Sequence, residues 1–341
     1  MFSRGKLVLV LVIALTLVGF VFLRGPTPHI TIKPETIFDA GGIGFTNTMI
    51  TSWVVVGSMI IGLFLVTRKW DLVPSGAQNV VEAVVEALYG IIANVAGEKN
   101  GRRFFPVAAT IFFFVLVSNL TSLLPIFNVI GVVTEEEHGF VMENASIGGL
   151  DIAYVELSGP GGLSGDAIDE DDADAHEQFA EAEEGGKIVG ELAPLFRGPN
   201  TDINTPLALA IVSMIAVEFW GISTLGLFRY GKKFLNFSSP INFFVGMLEF
   251  ISEIVRLLSF TARLFGNMFA GEVVILMFTF MTPLVLTVVF YGLEIFVGII
   301  QAFIFCMLTV VFGVMAVTAH DEHDDHESEA QPHGEAKKLE A

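Results

Sequence analysis

Residues 249–272 read EFISEIVRLLSFTARLFGNMFAGE, an apolar run that nevertheless carries six charged or amide side chains: Glu249, Glu253, Arg256, Arg263, Asn267 and Glu272. The sequence on both sides of this run is apolar enough to lie in lipid. A full charge at bilayer depth costs at least ~2.5 kcal/mol. Arg263 cannot avoid that cost by losing its proton, because a guanidinium stays charged at any ordinary pH. An arginine kept inside the membrane is therefore a candidate functional residue.

Helical geometry sorts these side chains into two groups. At 100° per residue, a single stripe of the helix carries Glu249, Glu253, Arg256, Phe260, Arg263 and Asn267. Glu272 comes nine residues after Arg263, so it points to the opposite side, ~13 Å further along the helix axis. One helix thus presents a polar stripe on one side and a separate carboxylate on the other.

The composition indicates a polytopic membrane protein, since 53% of the 341 residues are hydrophobic and the mean hydropathy is +0.67. The net charge of −19 comes mainly from two segments. Residues 134–204 hold eighteen acidic and two basic residues, and residues 320–341 hold eight acidic and two basic residues. The dense basic surface of a nucleic-acid-binding protein is absent from the sequence. The single Cys306 excludes an internal disulfide.

The N-terminal part of the chain is predicted to contain an anchor followed by an exported segment. In residues 1–24, Arg4 and Lys6 precede an apolar run, a pattern typical of an uncleaved membrane anchor or of a cleaved signal peptide. We favour the anchor because no clear cleavage site follows. Residues 25–46 contain three prolines and are expected to form an external segment without helix.

Residues 47–130 are expected to contain two membrane spans. The first span, 47–67, has the length that a bilayer requires, and Pro106 is expected to open the second. Between them, residues 75–96 alternate apolar and polar side chains at helical spacing. This helix is predicted to lie at the membrane interface, with packing against other protein as the alternative.

The acidic insertion at residues 131–204 is predicted to be an external, solvated loop, because a dense run of like charges opposes compaction. Its Gly-rich stretch at 158–165 lacks a following Lys and a helix signature. A nucleotide-binding loop is therefore excluded there.

Residues 205–319 are predicted to hold the ion-translocating helices, with Pro206, Pro240 and Pro283 opening or separating the spans. The last two apolar runs would be ~60 Å and ~50 Å long as helices, against a hydrocarbon core of ~30 Å. Either these helices are steeply tilted or they extend beyond the membrane. They are antiparallel, so Gln301 can come near Arg263 and Glu294 near Glu272.

The tail at residues 320–341 has three His residues at three-residue spacing among carboxylates, which is conceivable as a metal site. A flexible acidic tail is the better interpretation, because nothing nearby would hold ligands in place, and no metal is predicted.

Basic side chains flank the spans at residues 4–6, 68–69, 102–103 and 229–233. With six crossings and one interfacial helix, all of them fall on the cytoplasmic side, with the C-terminus.

Four stretches carry a family resemblance: VPSGAQNVVE at 73–82, SNLTSLLP at 118–125, RLFGNMFAGE at 263–272 and LEIFVGIIQAFIF at 293–305. Each resembles subunit a of F-type ATP synthase, the membrane stator beside the rotating c-ring. Two positions depart from the family's common pattern. A His commonly stands where Glu294 does, and an acidic residue or Gly often stands where Ser122 does.

The resemblance implies an all-α integral membrane protein of about six crossings plus one interfacial helix. Its last two helices would form an inclined antiparallel hairpin that curves along the c-ring. It also implies a bacterial cell membrane location, and as partners the c-ring, the b subunits of the peripheral stalk and, indirectly, the F1 sector. The chain itself would have no ATP site and no cofactor. The translocated ion, H⁺ or Na⁺, is left open because the binding carboxylate belongs to the c-subunit.

The expected roles combine this resemblance with helical geometry. Glu272 and Glu294 line an outer path to the rotor carboxylate, and two carboxylates close together can share a proton. Glu249 and Glu253 line the inner path, and Arg263 lies between the two. Gln301 is expected to position the Arg263 guanidinium. Asn267 is expected to be a further ion-translocation residue.

Four further residues are secondary candidates: Arg256, Ser259, Asn119 and Glu218. Arg256 either pairs with Glu249 or Glu253 or lines the path. Asn119 either bonds to a neighbouring helix or contacts the ion.

Two other functional classes compete with a stator. A stand-alone cation/proton antiporter or channel would also use intramembrane carboxylates, but an antiporter should contain an inverted repeat, which the sequence lacks. An intramembrane hydrolase needs a nucleophile or metal motif, and neither HExxH nor GxSxG occurs.

Overall fold

The computed structural model describes residues 11–18, 30–68, 76–124, 131–134, 139–147, 150–154, 167–168, 188–231, 233–234, 239–281 and 285–318. Its helices, besides a helical stretch at 11–18 and a 3₁₀ turn at Pro199–Thr201, are α1 Asn47–Thr67, α2 Ala77–Ser122, α3 Asn204–Leu225, α4 Leu227–Gly231, α5 Pro240–Met281 and α6 Val285–Thr318. Its strands are β1 Thr36–Ala40, β2 Ile43–Thr46, β3 Gly131–Thr134, β4 Gly139–Ile147, β5 Leu150–Tyr154, β6 Ala167–Ile168 and β7 Ile188–Pro194.

The chain has the all-α membrane architecture that the sequence predicts. Within the described residues, five helices are long and apolar enough to cross a membrane: α1, α2, α3, α5 and α6. The sixth predicted crossing, at 1–24, lies outside the described residues except for 11–18. The acidic tail at 320–341 also lies outside them.

Helix α2 is a hairpin of two arms rather than one rod. Gly97 has φ 74° and ψ 155° inside it, a backbone conformation that glycine adopts at little cost. The rings of Tyr89 and Phe105 therefore meet at 5.3 Å between centroids, although 16 residues of straight helix would span ~24 Å. The first arm corresponds to the predicted interfacial helix. Its buried Leu88 and Ile92 pack on the bundle core, as the alternative interpretation proposed, while its interfacial position stays a prediction.

Two expectations about helix boundaries differ from the structure. Pro106 lies inside the second arm of α2 instead of opening it, because the break at Gly97 starts that arm earlier. Pro206 lies in the first turn of α3, where a missing amide proton is harmless. Pro240 does begin α5, and Pro283 does fall between α5 and α6.

The acidic insertion is not a plain loop. Its described residues form a five-stranded antiparallel sheet in the order β5-β3-β7-β4-β6. The densest acidic run, 169–187, lies outside the described residues. The sequence expectation was wrong for the strands because the overall acidity of the segment hid short apolar runs such as GVVT in β3 and IVGELAP in β7.

The core lies where α6 packs against α2, α3 and α5. Phe104 stacks on Trp220 with ring centroids 4.2 Å apart, and Gly313 permits this contact because a Cβ there would come within 2.8 Å of the Trp220 ring. Helices α5 and α6 run antiparallel. Two ring pairs join them: Phe278 with Phe290 at 4.1 Å, near the connection between the two helices, and Phe260 with Phe305 at 4.7 Å, near the middle of α5.

The bundle has two chemically different ends. At the insertion end lie the strands and residues 194–202, beside the first turns of α1 and α3. At the basic end, Arg103 bonds to Thr224 at 2.7 Å, and Lys233 lies beside the first half of α5.

Candidate ion-translocation site

Arg263 lies on the outer face of α5. Its side chain is exposed, and none of the ion pairs that the structure forms among its described residues includes it. The residues on the same exposed stripe are small or amide-bearing: Ser259, Ala262, Gly266, Asn267 and Ala270. Small side chains let another helix approach closely. A permanent cation is therefore presented at the centre of a smooth helical face.

Asn267 links α5 to α6. Its Nδ2 donates to the Oε1 of the buried Gln301 at 2.8 Å. The sequence places Gln301 near Arg263 to position the guanidinium, but the structure pairs it with the amide one turn further on. Within the described part of the chain, the Nε2 of Gln301 has no acceptor. The Nε2 donor of Gln301 is thus available to a group other than the Asn267 amide.

A cavity of about 140 Å³ lies toward the insertion end from Arg263. Its wall is formed by polar groups from four segments of chain, namely Ser122, Gly198, Thr201, Glu272, Thr279, Tyr291 and Glu294, and by apolar side chains such as Met268 and Ile275. The predicted neighbourhood of Glu272 and Glu294 is therefore confirmed. At ~30 Å³ per water molecule, a cavity of this volume has room for a few waters.

The Glu294 carboxylate lies against the backbone of α5. A Cβ added at Gly271 would overlap it, so only glycine at this position leaves room for the carboxylate beside Glu272. Glu294 is buried, and its carboxylate joins none of the ion pairs within the described residues. It is a carboxyl group in the wall of a small cavity that both polar and apolar side chains line.

Asn119 forms hydrogen bonds with neighbouring segments of the chain, the first of the two roles that its sequence position suggests. Its Nδ2 donates to the Gly298 carbonyl at 3.2 Å, and its Oδ1 accepts from Asn200 Nδ2 at 2.7 Å. Gly298 permits this approach, because a Cβ there would lie 3.2 Å from the Asn119 Cβ. The pair holds α6 in place between Glu294 and Gln301.

Two residues just before α3 also belong to this site, although no sequence pattern predicts them. The buried Arg197 lies with its Nη2 at 3.6 Å from Glu272 Oε2, and the buried Asp202 accepts from Thr48 Oγ1 at 3.1 Å. Both residues fall in a segment that composition marks as acidic loop. One signal could have found Arg197: it and Lys187 are the two basic residues among the eighteen acidic ones of 134–204.

The basic end of α5 carries a compact ion cluster. Arg256 contacts Glu253 at 2.8 Å and Glu249 at 3.6 Å, and Lys233 contacts the same two carboxylates at 3.4 Å and 2.8 Å. The predicted pairing of Arg256 is confirmed, with Lys233 as an additional partner. Two cations and two carboxylates balance locally, which lets the cluster persist near lipid.

Beside this cluster, a groove of about 940 Å³ separates α3 from the first half of α5. Its lining is apolar apart from the carboxylates of Glu218 and Glu253. Each has one buried oxygen without a hydrogen-bond partner among the described residues. Glu218 therefore faces the same recess as Glu253, on the opposite helix.

The two recesses lie on either side of Arg263 along α5. Glu253 precedes Arg263 by ten residues and Glu272 follows it by nine, so the arginine lies about midway along ~28 Å of helix. The described residues contain no group of three or more side chains suited to a metal ion. The three evenly spaced His residues of the tail, His320, His323 and His326, lie outside them.

Comparisons with known proteins agree with the resemblance. A family model described as ATP synthase A chain matches residues 49–313. The chain is 32% identical to ATP synthase subunit a of Gloeobacter violaceus over 278 residues, which cover 81% of this chain and 86% of the relative. It is 28% identical to ATP synthase subunit a of Moorella thermoacetica over 289 residues, 85% of this chain and 99% of the relative.

Proposed function

Because the chain belongs to the ATP synthase A chain family and serves as the stator subunit of the Fo sector, we propose how its residues carry ions to and from a rotor. The chain is a multi-pass membrane protein and works in a complex with other ATP synthase subunits. Three features of the chain would carry the ions: an outer path, an inner path and a cation that separates them.

The outer path is the cavity beside Glu272 and Glu294. Water in this cavity would let an ion pass from the insertion end to the level of Asn267 and Gln301. Glu294, which is buried against Gly271 and joins no ion pair within the described residues, is suited to accept and release a proton on the way. Asn267 and Gln301 line the part of the outer path that adjoins Arg263.

The inner path is the groove between α3 and α5. Glu218 and Glu253 line it, and Glu249 lies at its basic end within the ion cluster. Arg256 and Lys233 hold the carboxylates of Glu249 and Glu253 in place. An ion leaving the rotor would exit past Glu253 and Glu249.

Arg263 acts between the two paths on a carboxylate of the rotor. At ~4 Å and an effective dielectric of ~20, the two opposite charges attract by ~4 kcal/mol. The membrane potential supplies ~2.3 kcal/mol per charge for each 100 mV, which is comparable to the energy needed to move the carboxylate off the arginine. The same fixed cation repels a proton that would pass directly between the paths.

The exposed stripe around Arg263 supports a rotor as the partner. Its Ser259, Ala262, Gly266 and Ala270 would admit a c-subunit helix closely, and the charge at its centre needs a counter-ion that the described residues do not provide. Further partners in this proposal are the b subunits and, indirectly, F1. This chain would carry no catalytic site of its own, and its C-terminus would lie in the cytoplasm of a bacterial cell.

The single observation that carries the proposal is an exposed arginine that forms no ion pair with the residues the structure describes and lies midway between two carboxylate-lined recesses. Inverted membrane vesicles from cells with and without this chain provide the test. With the chain present, a c-ring should co-purify, and ATP should drive acidification that dicyclohexylcarbodiimide blocks. Equal acidification in vesicles that lack the chain would contradict the proposal. Repeating the measurement with Na⁺ and a protonophore distinguishes a sodium from a proton carrier.

A further inference from the structure

Arg197 is a second buried cation in the molecule, and it belongs to no family motif quoted above. It lies at the end of the acidic insertion, just before α3, and is 5% exposed. A buried guanidinium stays charged, so its surroundings must supply both hydrogen-bond acceptors and a counter-ion.

The acceptors come from the exported N-terminal segment. Arg197 Nη2 donates to the Thr31 carbonyl at 2.6 Å. Its Nη1 donates to Thr31 Oγ1 and to the Lys33 carbonyl, both at 3.4 Å. These contacts join residues more than 160 positions apart in sequence and hold the guanidinium in one orientation.

The counter-ion is Glu272. Arg197 Nη2 lies 3.6 Å from Glu272 Oε2, and both side chains are largely buried. Glu272 also lines the outer cavity, as Glu294 does.

We infer that Arg197 is a positioning residue for ion transfer, which holds the Glu272 carboxylate in place at the cavity wall through their ion pair and thereby leaves Glu294 as the group that carries the proton. Glu294 has no such partner among the described residues and is free to change its protonation. The inference rests on the proposed function, since it assigns separate roles to the two carboxylates of the outer path.

The hydrogen bonds from Arg197 to Thr31 and Lys33 serve the same positioning role. Because backbone carbonyls fix the guanidinium, the exported segment determines where the Glu272 carboxylate stands. A lysine at position 197 would keep the charge but not the fork that bonds to the two carbonyls.

The test is a double-mutant cycle in the complete synthase, measured as dicyclohexylcarbodiimide-sensitive, ATP-driven acidification per assembled complex. R197Q is expected to lower the rate on the order of tenfold. R197K should recover much of that loss, because the positive charge beside Glu272 returns. R197Q combined with E272Q should be no slower than E272Q alone, because Arg197 acts through Glu272.

The matched control is R102Q, which removes an arginine from an exposed pair with Glu98 and should pump as the wild type does. If R197Q lowers the amount of assembled complex, R197M, which also removes the charge, supplies the same cycle in the Glu272 and E272Q backgrounds. Additive losses, a wild-type rate in R197Q, or an R197K as slow as R197Q would each overturn the inference. A wild-type rate in E272Q would instead overturn the outer path of the proposed function, so the two failures are distinguishable.

Discussion

Replacing Arg263 with alanine or with lysine is expected to abolish ATP-driven proton pumping. Alanine removes the charge that attracts the rotor carboxylate and separates the two paths. Lysine keeps a charge, but it loses the planar fork and can give up its proton when desolvated. Acidification of inverted vesicles by ATP, normalised to the amount of assembled complex, measures both variants.

The control for R263K is R102K, since the Arg102 side chain is 79% exposed and lies away from both recesses. R102K should pump at the wild-type rate. Undiminished pumping in R263K would contradict the requirement for arginine, and undiminished pumping in R263A would contradict the requirement for any cation at this position.

Replacing Glu294 with glutamine is expected to slow pumping by roughly a hundredfold, the scale on which a positioned proton-transfer group contributes. Glutamine fills the same space beside Gly271 but cannot exchange a proton with the cavity. The measurement is again the dicyclohexylcarbodiimide-sensitive rate of acidification. ATP hydrolysis by the detached head should stay unchanged, because the substitution lies in the membrane sector.

A companion variant tests the position of Glu294 without altering either carboxylate. In G271A the new Cβ would overlap the Glu294 carboxylate, so the side chain must move and the rate should fall. G62A is the matched control, because a Cβ at Gly62 on α1 meets nothing within 4 Å. A G271A rate equal to that of G62A, or a wild-type rate in E294Q, would show that protons do not pass by way of Glu294.

The helices and the candidate residues on α5 and α6 could be predicted from the sequence because their signals are local. Length and apolarity define 47–67 as a span, and the prolines at 240 and 283 mark where the last two helices begin or end. The 3.6-residue period separates Glu272 from the Arg263 stripe. Antiparallel pairing of two long helices then brings Glu294 to the level of Glu272.

The contacts made by Arg197 could not be predicted, because they depend on chain segments that meet only in the folded state. Nothing in residues 31–33 or in the acidic insertion indicates that they close around one guanidinium. The partner of Gln301 was predicted one turn away from where it lies. A rotation of α6 by one residue's 100° changes which amide or guanidinium a side chain can reach, and sequence periodicity does not resolve that rotation.

The strands of the insertion were missed for a different reason. Acidic residues dominate the average composition of 131–204, although the strands themselves carry few charges. An average composition over seventy residues therefore reflects the acidic run at 169–187 and hides the apolar residues of the strands.

Water access from opposite sides of the membrane tests the central claim most directly. The chain has one cysteine, the buried Cys306, so single cysteines can be placed in a C306S background of the assembled synthase. L276C probes the outer cavity and F250C probes the inner groove, since both residues line those recesses. A membrane-impermeant thiol reagent should label L276C only from the outside and F250C only from the cytoplasmic side. Labelling of either position from both sides, or of both positions from one side, would contradict two separate paths divided at Arg263.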